Sequence, residues 1–164
     1  DMGVYAVSSL VAMLGSFVKV TGFVSTFDKP TDLEDVATLV LQTESGSIVT
    51  AETSWCDPAR TGEGSIHGTA GKFTLPGQGG AAVSLHTPTS YTREHAPVEV
   101  QSVDCSDSAP GNMHQHFADH IRSGKQPPLS NAQPARHVTE IMLSGLESSR
   151  LGQSITLQTR AVVY

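Results

Sequence analysis

The spacing of apolar residues changes twice along the chain, and this change limits the possible folds more than any other feature. From Met2 to Leu14, apolar side chains recur every three or four positions, as on one face of a helix, and Gly15 ends the pattern. From Phe17 to Val103 the period is two, which is typical of strands. Beyond this region the helical period returns. The sequence therefore predicts helices at both ends and mostly antiparallel strands between them.

Turn signals divide the central strand region. The clearest hairpin joins Val36–Gln42 to Ile48–Trp55, and Gly46 can take the positive φ that its tight connection needs. A second turn, at 69–72, links residues 65–67 to residues 73–75. Both connections favour antiparallel pairing of neighbouring strands.

The last third of the chain predicts two helices and a short strand. The first helix ends at Gly124, and its spacing makes Phe117 and Ile121 its core residues. The second helix has Asn131 as N-cap and Pro134 in its first turn, where a missing N–H costs little. It ends at Gly152, and the strand follows at 154–157.

These elements together predict one α+β domain spanning residues 1–164. We expect one open, mostly antiparallel or mixed sheet with the helices packed on one face. The other face also carries Val, Leu and Thr, and would be a large apolar patch unless something covers it. We therefore expect a homodimer or homotetramer formed through this sheet face.

Composition excludes several classes of partner. The net charge is −6 and no basic cluster occurs, so a nucleic-acid partner is not expected. No apolar run approaches the ~20 residues of a membrane span. Cys56 and Cys105 lack CxxC spacing and are interpreted as ordinary thiols of a reducing cytoplasm, although a single disulfide between them stays open.

Several short strings resemble those of one known family and occur in the same order as in that family. Asp1-Met2-Gly3-Val4-Tyr5 is similar to D-x-G-x-[HY], and Ile66 to Gly71 is similar to I-x-G-T-x-G. Glu34 to Ala37 with Ser45-Gly46, and Phe117 to Lys125 with Ser148 to Gly152, supply the remaining likeness. The strings resemble the C-terminal domain of the glucose-fructose oxidoreductase/inositol dehydrogenase (Gfo/Idh/MocA) family of NAD(P)-dependent oxidoreductases.

The resemblance implies a substrate-binding and oligomerisation domain, which acts on a sugar, polyol or related hydroxy compound in the complete enzyme. The chain contains no G-x-G-x-x-G, so we expect the nucleotide-binding Rossmann domain to be absent from it. NAD or NADP would then bind the full-length protein and not this chain. The isolated chain is expected to be inactive.

Tyr5 and Asp1 are the catalytic candidates. Their i, i+4 spacing puts them on one face of a helix, about one turn apart. The residues alone favour the interpretation that Tyr5 is a core aromatic and Asp1 a helix N-cap. Oxidation of an alcohol requires one group to take the hydroxyl proton. The resemblance implies that Tyr5 is this acid/base and that Asp1 orients Tyr5 or the substrate.

Three further residues are candidates for substrate binding: Trp55, Arg60 and His67. Trp55 could stack on a sugar and Arg60 could hydrogen-bond it. The alternatives stay open: Trp55 as a core or interface residue, Arg60 as a solvated loop charge and His67 as a strand surface residue.

Two other functions compete with the dehydrogenase reading. A non-catalytic dimerisation or binding module of the same fold would use Tyr5 for no chemistry. A metal-dependent hydrolase would use His114, His116 and His120, since His116 and His120 share a helix face. That segment lacks the Glu of H-E-x-x-H and an obvious third ligand, so no metal site is predicted.

Overall fold

A computed structural model describes residues 2–58, 62–76, 82–89, 97–104, 112–128 and 130–161. The elements it contains are, in chain order, α1 (Met2–Leu14), β1 (Phe17–Ser25), β2 (Val36–Thr43), β3 (Ile48–Ser54), β4 (Gly64–His67), β5 (Lys72–Leu75), β6 (Ser84–Pro88), β7 (Val98–Ser102), α2 (Met113–Ser123), α3 (Ala132–Leu151) and β8 (Ile155–Thr156). The chain divides into two compact units. The first comprises Asp1–Asp57 and Ala118–Tyr164, and the second comprises Pro58–Phe117.

The α+β class and the antiparallel pairing are confirmed, but the strands form two sheets where one was expected. Among the described residues, one sheet has the order β3-β2-β1-β8 and the other has the order β4-β5-β6-β7. The physical reason is that a period of two reports which face a side chain occupies and not which strand pairs with which. The expected hairpin at Gly46 is present, and the turn expected at 69–72 lies at 68–71.

The core of the first unit lies between its sheet and two helices. α1 packs on β3 and α3, and α3 packs on β1. Leu39 and Leu41 alternate with outward residues on β2, so they face the helices. The buried apolar side chains are Val7, Val11, Phe17, Val20, Leu39, Leu41, Ala51, Val138, Ile141, Leu157 and Ala161.

Within the described ranges, β1 has no strand partner on its β8 side beyond Val20, and α3 takes that place. β8 pairs only with Lys19 and Val20. Further along, the N–H of Gly22 donates to Ser148 Oγ at 3.0 Å and the N–H of Val24 donates to Ser149 Oγ at 3.1 Å. Ser148 Oγ in turn donates to the carbonyl of Gln153. Two helix serines therefore satisfy the donors of a strand edge that would otherwise be unpaired.

The same strand and helix approach each other through two glycines. A Cβ added at Gly22 would collide with the carbonyl oxygen of Gly145, and a Cβ added at Gly145 would lie 2.6 Å from Leu39 Cδ2. Glycine at both positions permits the short distance over which the serine hydroxyls reach β1.

The predicted helix ends are confirmed. Gly15 has φ 78° and its N–H bonds the carbonyl of Val11. Asn131 caps α3 by accepting from the N–H of Gln133, and Gly152 ends α3 in the left-handed conformation.

The expectation that Phe117 and Ile121 are core residues is wrong. Over the part of the chain that the structure describes, they are 69% and 65% exposed, and α2 buries none of its residues. The helical period does place them on one stripe with Met113, but burial requires a covering element, which the period does not report. None of the three helices in the described ranges has the length and apolar character needed to cross a lipid bilayer.

Candidate functional site

Tyr5 stands on the solvent side of α1. The helix buries Val7 and Val11 against the core, and Tyr5 is left 68% exposed. Tyr5 is therefore no core aromatic, which removes one of the two interpretations of this residue. Asp1, its expected companion, lies outside the described residues.

A cavity opens beside the first turns of α1. Its wall includes Gly3 and Val7 of α1, Thr53 of β3, Met142 of α3 and the indole of Trp55. A Cβ added at Gly3 would lie 2.8 Å from Met142 Cε, so a larger residue here would displace the flexible end of the Met142 side chain. Trp55 thus borders the same cavity as Gly3 and Val7 of the helix that carries Tyr5, whereas Tyr5 itself does not line the cavity.

Trp55 follows β3 and is held in place through its backbone. Its N–H donates to the carbonyl of Asp35 at 2.8 Å, and the N–H of Asp35 donates to the carbonyl of Ser25 at 3.0 Å. The indole is 43% exposed. A fixed backbone with a half-exposed ring suits a surface on which a flat ligand could rest.

The carboxylate of Asp35 anchors the loop after β1. It accepts the N–H groups of Phe27 at 2.7 Å and of Asp28 and Lys29 at 2.8 Å. These bonds, from Lys29 and Asp28 first, hold the pKa of Asp35 well below its usual range, although burial opposes them. Asp35 is only 4% exposed, so its role is to fix the cavity wall as an ionised carboxylate.

Cys56 adjoins this carboxylate. Burial, and secondly the hydrogen bond and negative charge of Asp35, raise the pKa of the Cys56 thiol. A protonated thiol of this kind donates to Asp35 and is a poor nucleophile. Cys105, the possible disulfide partner of Cys56, lies outside the described residues.

The other two predicted substrate residues are Arg60 and His67. Arg60 lies outside the described residues. His67 ends β4 in the second unit, is exposed and shares a hydrogen bond of 3.0 Å with Ser65 Oγ. Its interpretation as a strand surface residue agrees with that exposure.

The histidines of α2 form no recognisable metal centre. Within the described ranges, no three His, Cys, Asp or Glu side chains are arranged to hold an ion. His120 Nδ1 instead lies 2.8 Å from the carbonyl of Lys125, and the N–H of His114 bonds Asn112.

One buried polar chain was not anticipated. His137 of α3 is fully buried, and its Nε2 accepts the N–H of Phe17 at 3.0 Å. Its Nδ1 must then carry the proton and donate to Thr159 Oγ1 at 2.9 Å, and the hydroxyl of Thr159 donates to Glu140. The spacing of His137 with Pro134, Ile141 and Ser148 on α3 is the signal that could have identified it as buried.

Comparison with known proteins defines the class to which this fold corresponds. The resemblance inferred from the sequence is confirmed: residues 1–74 match the family model of the GFO/IDH/MocA C-terminal domain. No match was found among curated protein sequences.

Solved structures share the whole fold. YvaA of Bacillus subtilis superposes with a TM-score of 0.75 at 21% identity over 96% of this chain and 51% of its own. An Agrobacterium radiobacter oxidoreductase, crystallised with NAD+, L-tartaric acid and magnesium, superposes with a TM-score of 0.69 at 19% identity. The match covers 95% of this chain and 48% of that protein. Levoglucosan dehydrogenase, in complex with NADH and L-sorbose, superposes with a TM-score of 0.75 at 16% identity. The match covers 97% of this chain and 49% of that protein. The chain therefore spans about half the length of these proteins.

Proposed function

We propose that this chain is the substrate-binding and oligomerisation domain of an NAD(P)-dependent oxidoreductase that acts on a sugar, polyol or related hydroxy compound. The observation that carries the proposal is the position of Tyr5. Its side chain is exposed on the helix whose first turns border a cavity lined by Trp55. The family match over residues 1–74 includes both Tyr5 and Trp55.

Tyr5 would handle the proton of the reaction. As a secondary alcohol becomes a carbonyl, its hydroxyl proton passes to the Tyr5 oxygen, and in the reverse direction the phenol returns it. Exposure on α1 leaves the phenol accessible to a substrate. Asp1, one helical turn earlier in the sequence, would orient Tyr5 or the substrate.

Trp55 would form one wall for the substrate, with its apolar ring face against the carbon skeleton. The Asp35 hydrogen bonds hold the backbone on which this ring stands. Arg60 and His67 would contribute polar contacts to substrate hydroxyls.

The nicotinamide cofactor would be held by another domain. This chain has no G-x-G-x-x-G, so its residues do not fit the dinucleotide phosphates in the usual way. A bound NAD or NADP would supply the hydride acceptor, and the choice between the two belongs to that domain. The isolated chain would be inactive for the same reason.

Oligomerisation would use the outer face of the first sheet. The register puts Phe23, Thr38 and Val40 side by side on the face opposite the helices. Phe23 is 67% exposed, which is costly for an aromatic ring in water. A homodimer or homotetramer formed through this face would cover the Phe23 ring.

The low cysteine content supports a cytoplasmic location for the protein.

The first measurement is the intact mass of the natural protein, compared with the 17.3 kDa of this chain. A protein longer by a nucleotide-binding domain supports the proposal. That protein is then assayed for reduction of NAD or NADP with a panel of sugars and polyols.

Tyr5→Phe in the natural protein should lower kcat/KM by about 10²–10⁴-fold, since it removes the group that exchanges the proton. Thr139→Val, which removes an exposed hydroxyl from α3, is the matched control and should leave kcat/KM unchanged. If the wild-type protein is active and the Tyr5→Phe variant has the same kcat/KM, Tyr5 is not the acid/base. If the natural protein has the mass of this chain alone, the binding-module alternative replaces the dehydrogenase.

A further inference from the structure

The second sheet presents one face that is distinctly polar. Its register aligns four hydroxyl residues in one cross-strand row: Ser65, Thr74, Ser84 and Ser102. The next row on the same face consists of His67, Lys72, His86 and Val100. Because side chains alternate along a strand, residues two positions apart share a face, and the two rows therefore form one surface.

The second row concentrates basic groups without a balancing carboxylate. His67 pairs directly with Lys72, and Lys72 pairs directly with His86. Neighbouring strands are about 4.8 Å apart, so these three side chains lie close together on the sheet. The one acidic residue within these four strands, Glu99, pairs with Thr87 and falls on the opposite face.

Lys72 is half-buried in the centre of this row. Among the described residues, no Asp or Glu forms an ion pair with it. This is an unusual arrangement in a chain whose net charge is −6. A basic row retained without a partner inside the sheet indicates a partner supplied from outside.

The row lines a groove on this face of the sheet. His67, Lys72 and His86 form one part of its wall, and Val98 and Val100 form an apolar part. Gly71 allows the turn to approach β6 closely, because an added Cβ would lie 2.5 Å from the carbonyl oxygen of His86.

The imidazoles in the groove are held by the hydroxyl row. His67 Nε2 lies 3.0 Å from Ser65 Oγ, and His86 Nε2 lies 3.0 Å from Thr74 Oγ1. Each hydroxyl thereby limits the rotation of the ring beside it. Fixed donors around a central cation are what an oxyanion site requires.

We propose that this groove binds an oxyanion group, a phosphate or a carboxylate, of a small ligand. Lys72 supplies the charge, His67 and His86 donate hydrogen bonds from either side, and Val98 and Val100 contact the apolar part of the ligand. All of these residues belong to the second unit. The inference therefore does not depend on the oxidoreductase proposal, and neither Tyr5 nor a nicotinamide takes part in its test.

The test is an NMR titration of the full 164-residue chain with inorganic phosphate, with sodium chloride adjusted to keep the ionic strength constant. The imidazole C–H signals of His67 and His86 should shift and saturate, while those of His114 should not. Lys72→Gln should weaken phosphate binding by about tenfold or more, which corresponds to loss of one charged hydrogen bond. A parallel titration with acetate distinguishes a carboxylate site from a phosphate site.

Lys125→Gln is the matched control, since Lys125 is an exposed lysine outside the four strands. It should bind phosphate as the wild type does. Lys72→Arg keeps the charge and should retain binding, and a dispersed amide spectrum shows that each variant is folded. Equal weakening in Lys72→Gln and Lys125→Gln, unsaturable shifts with both anions, or equal loss in folded Lys72→Arg and Lys72→Gln would each overturn the proposal.

Discussion

His137 is the residue whose ionisation most directly concerns the fold. Burial lowers its pKa, the positive charge of Arg160 adds to this effect and the negative charge of Glu140 opposes it. A proton on Nε2 would also remove the acceptor for the N–H of Phe17, which is fully buried. The neutral imidazole is therefore the form that the folded chain requires.

The free energy of unfolding should decrease as the pH falls below the ordinary histidine value of about 6.5. Since the folded pKa is lower than the unfolded one, the unfolded chain takes up the proton first. The contribution of His137 is thus complete above the unfolded pKa and is lost as the pH falls towards the folded pKa. Urea unfolding at a series of pH values measures this slope.

His137→Asn should be less stable than the wild type and should lack that slope, while the exposed His114→Gln should keep it. The titration of Glu140 does not contribute to this slope near pH 6.5. Burial raises the pKa of Glu140, but the Thr159 hydroxyl and the Gln158 and Thr159 N–H groups outweigh burial and lower it, so Glu140 titrates in a more acidic range. A slope of equal size in His137→Asn would assign the pH dependence to other groups.

At the scale of elements, the packing of α3 on β1 depends on side chains that act as backbone partners. Ser148 is 1% exposed and accepts the N–H of Gly22, which β8 is too short to reach. The helix thus completes the hydrogen bonding of a strand and packs against it at the same place.

Ser148→Ala should lower the free energy of unfolding by about 1–3 kcal/mol, because it leaves a buried N–H without an acceptor. Denaturant unfolding of the purified chain measures the change. Ser144→Ala, one turn earlier on the same helix, is the control and should fall within about 0.5 kcal/mol of the wild type. If both variants lose equal stability, the Gly22 bond is not the cause.

At the scale of the whole molecule, the exposed aromatic on the outer sheet face leads to a test of assembly. Phe23→Glu puts a charge where the proposed interface would exclude water, so we expect the oligomer to dissociate to the mass of one chain. Sedimentation velocity measures the species present. Thr139→Glu adds the same charge at an exposed position of α3 and should leave the assembly intact. A wild-type protein that already sediments as one chain would contradict the interface.

Local signals accounted for much of the fold. The ends of α1 and α3 follow from Gly15, Asn131 and Gly152, and the β2–β3 hairpin follows from Gly46, because caps and tight turns depend on a few adjacent residues. For the candidate site, the sequence proposed Tyr5 and Trp55, whose roles stay predictions, but it did not anticipate the Asp35 hydrogen bonds or the His137 chain. Those networks join residues far apart in sequence, and no local pattern encodes them.

The sequence by itself determined the C-terminal end of α1, both ends of α3, the β2–β3 hairpin and which side chains share a face, since these depend on neighbouring residues. Only the tertiary structure decided that the strands divide between two sheets, that His137 is buried and that Phe117 and Ile121 are exposed in the described chain. The physical reason is that pairing and burial depend on which distant segments come to lie against a given face.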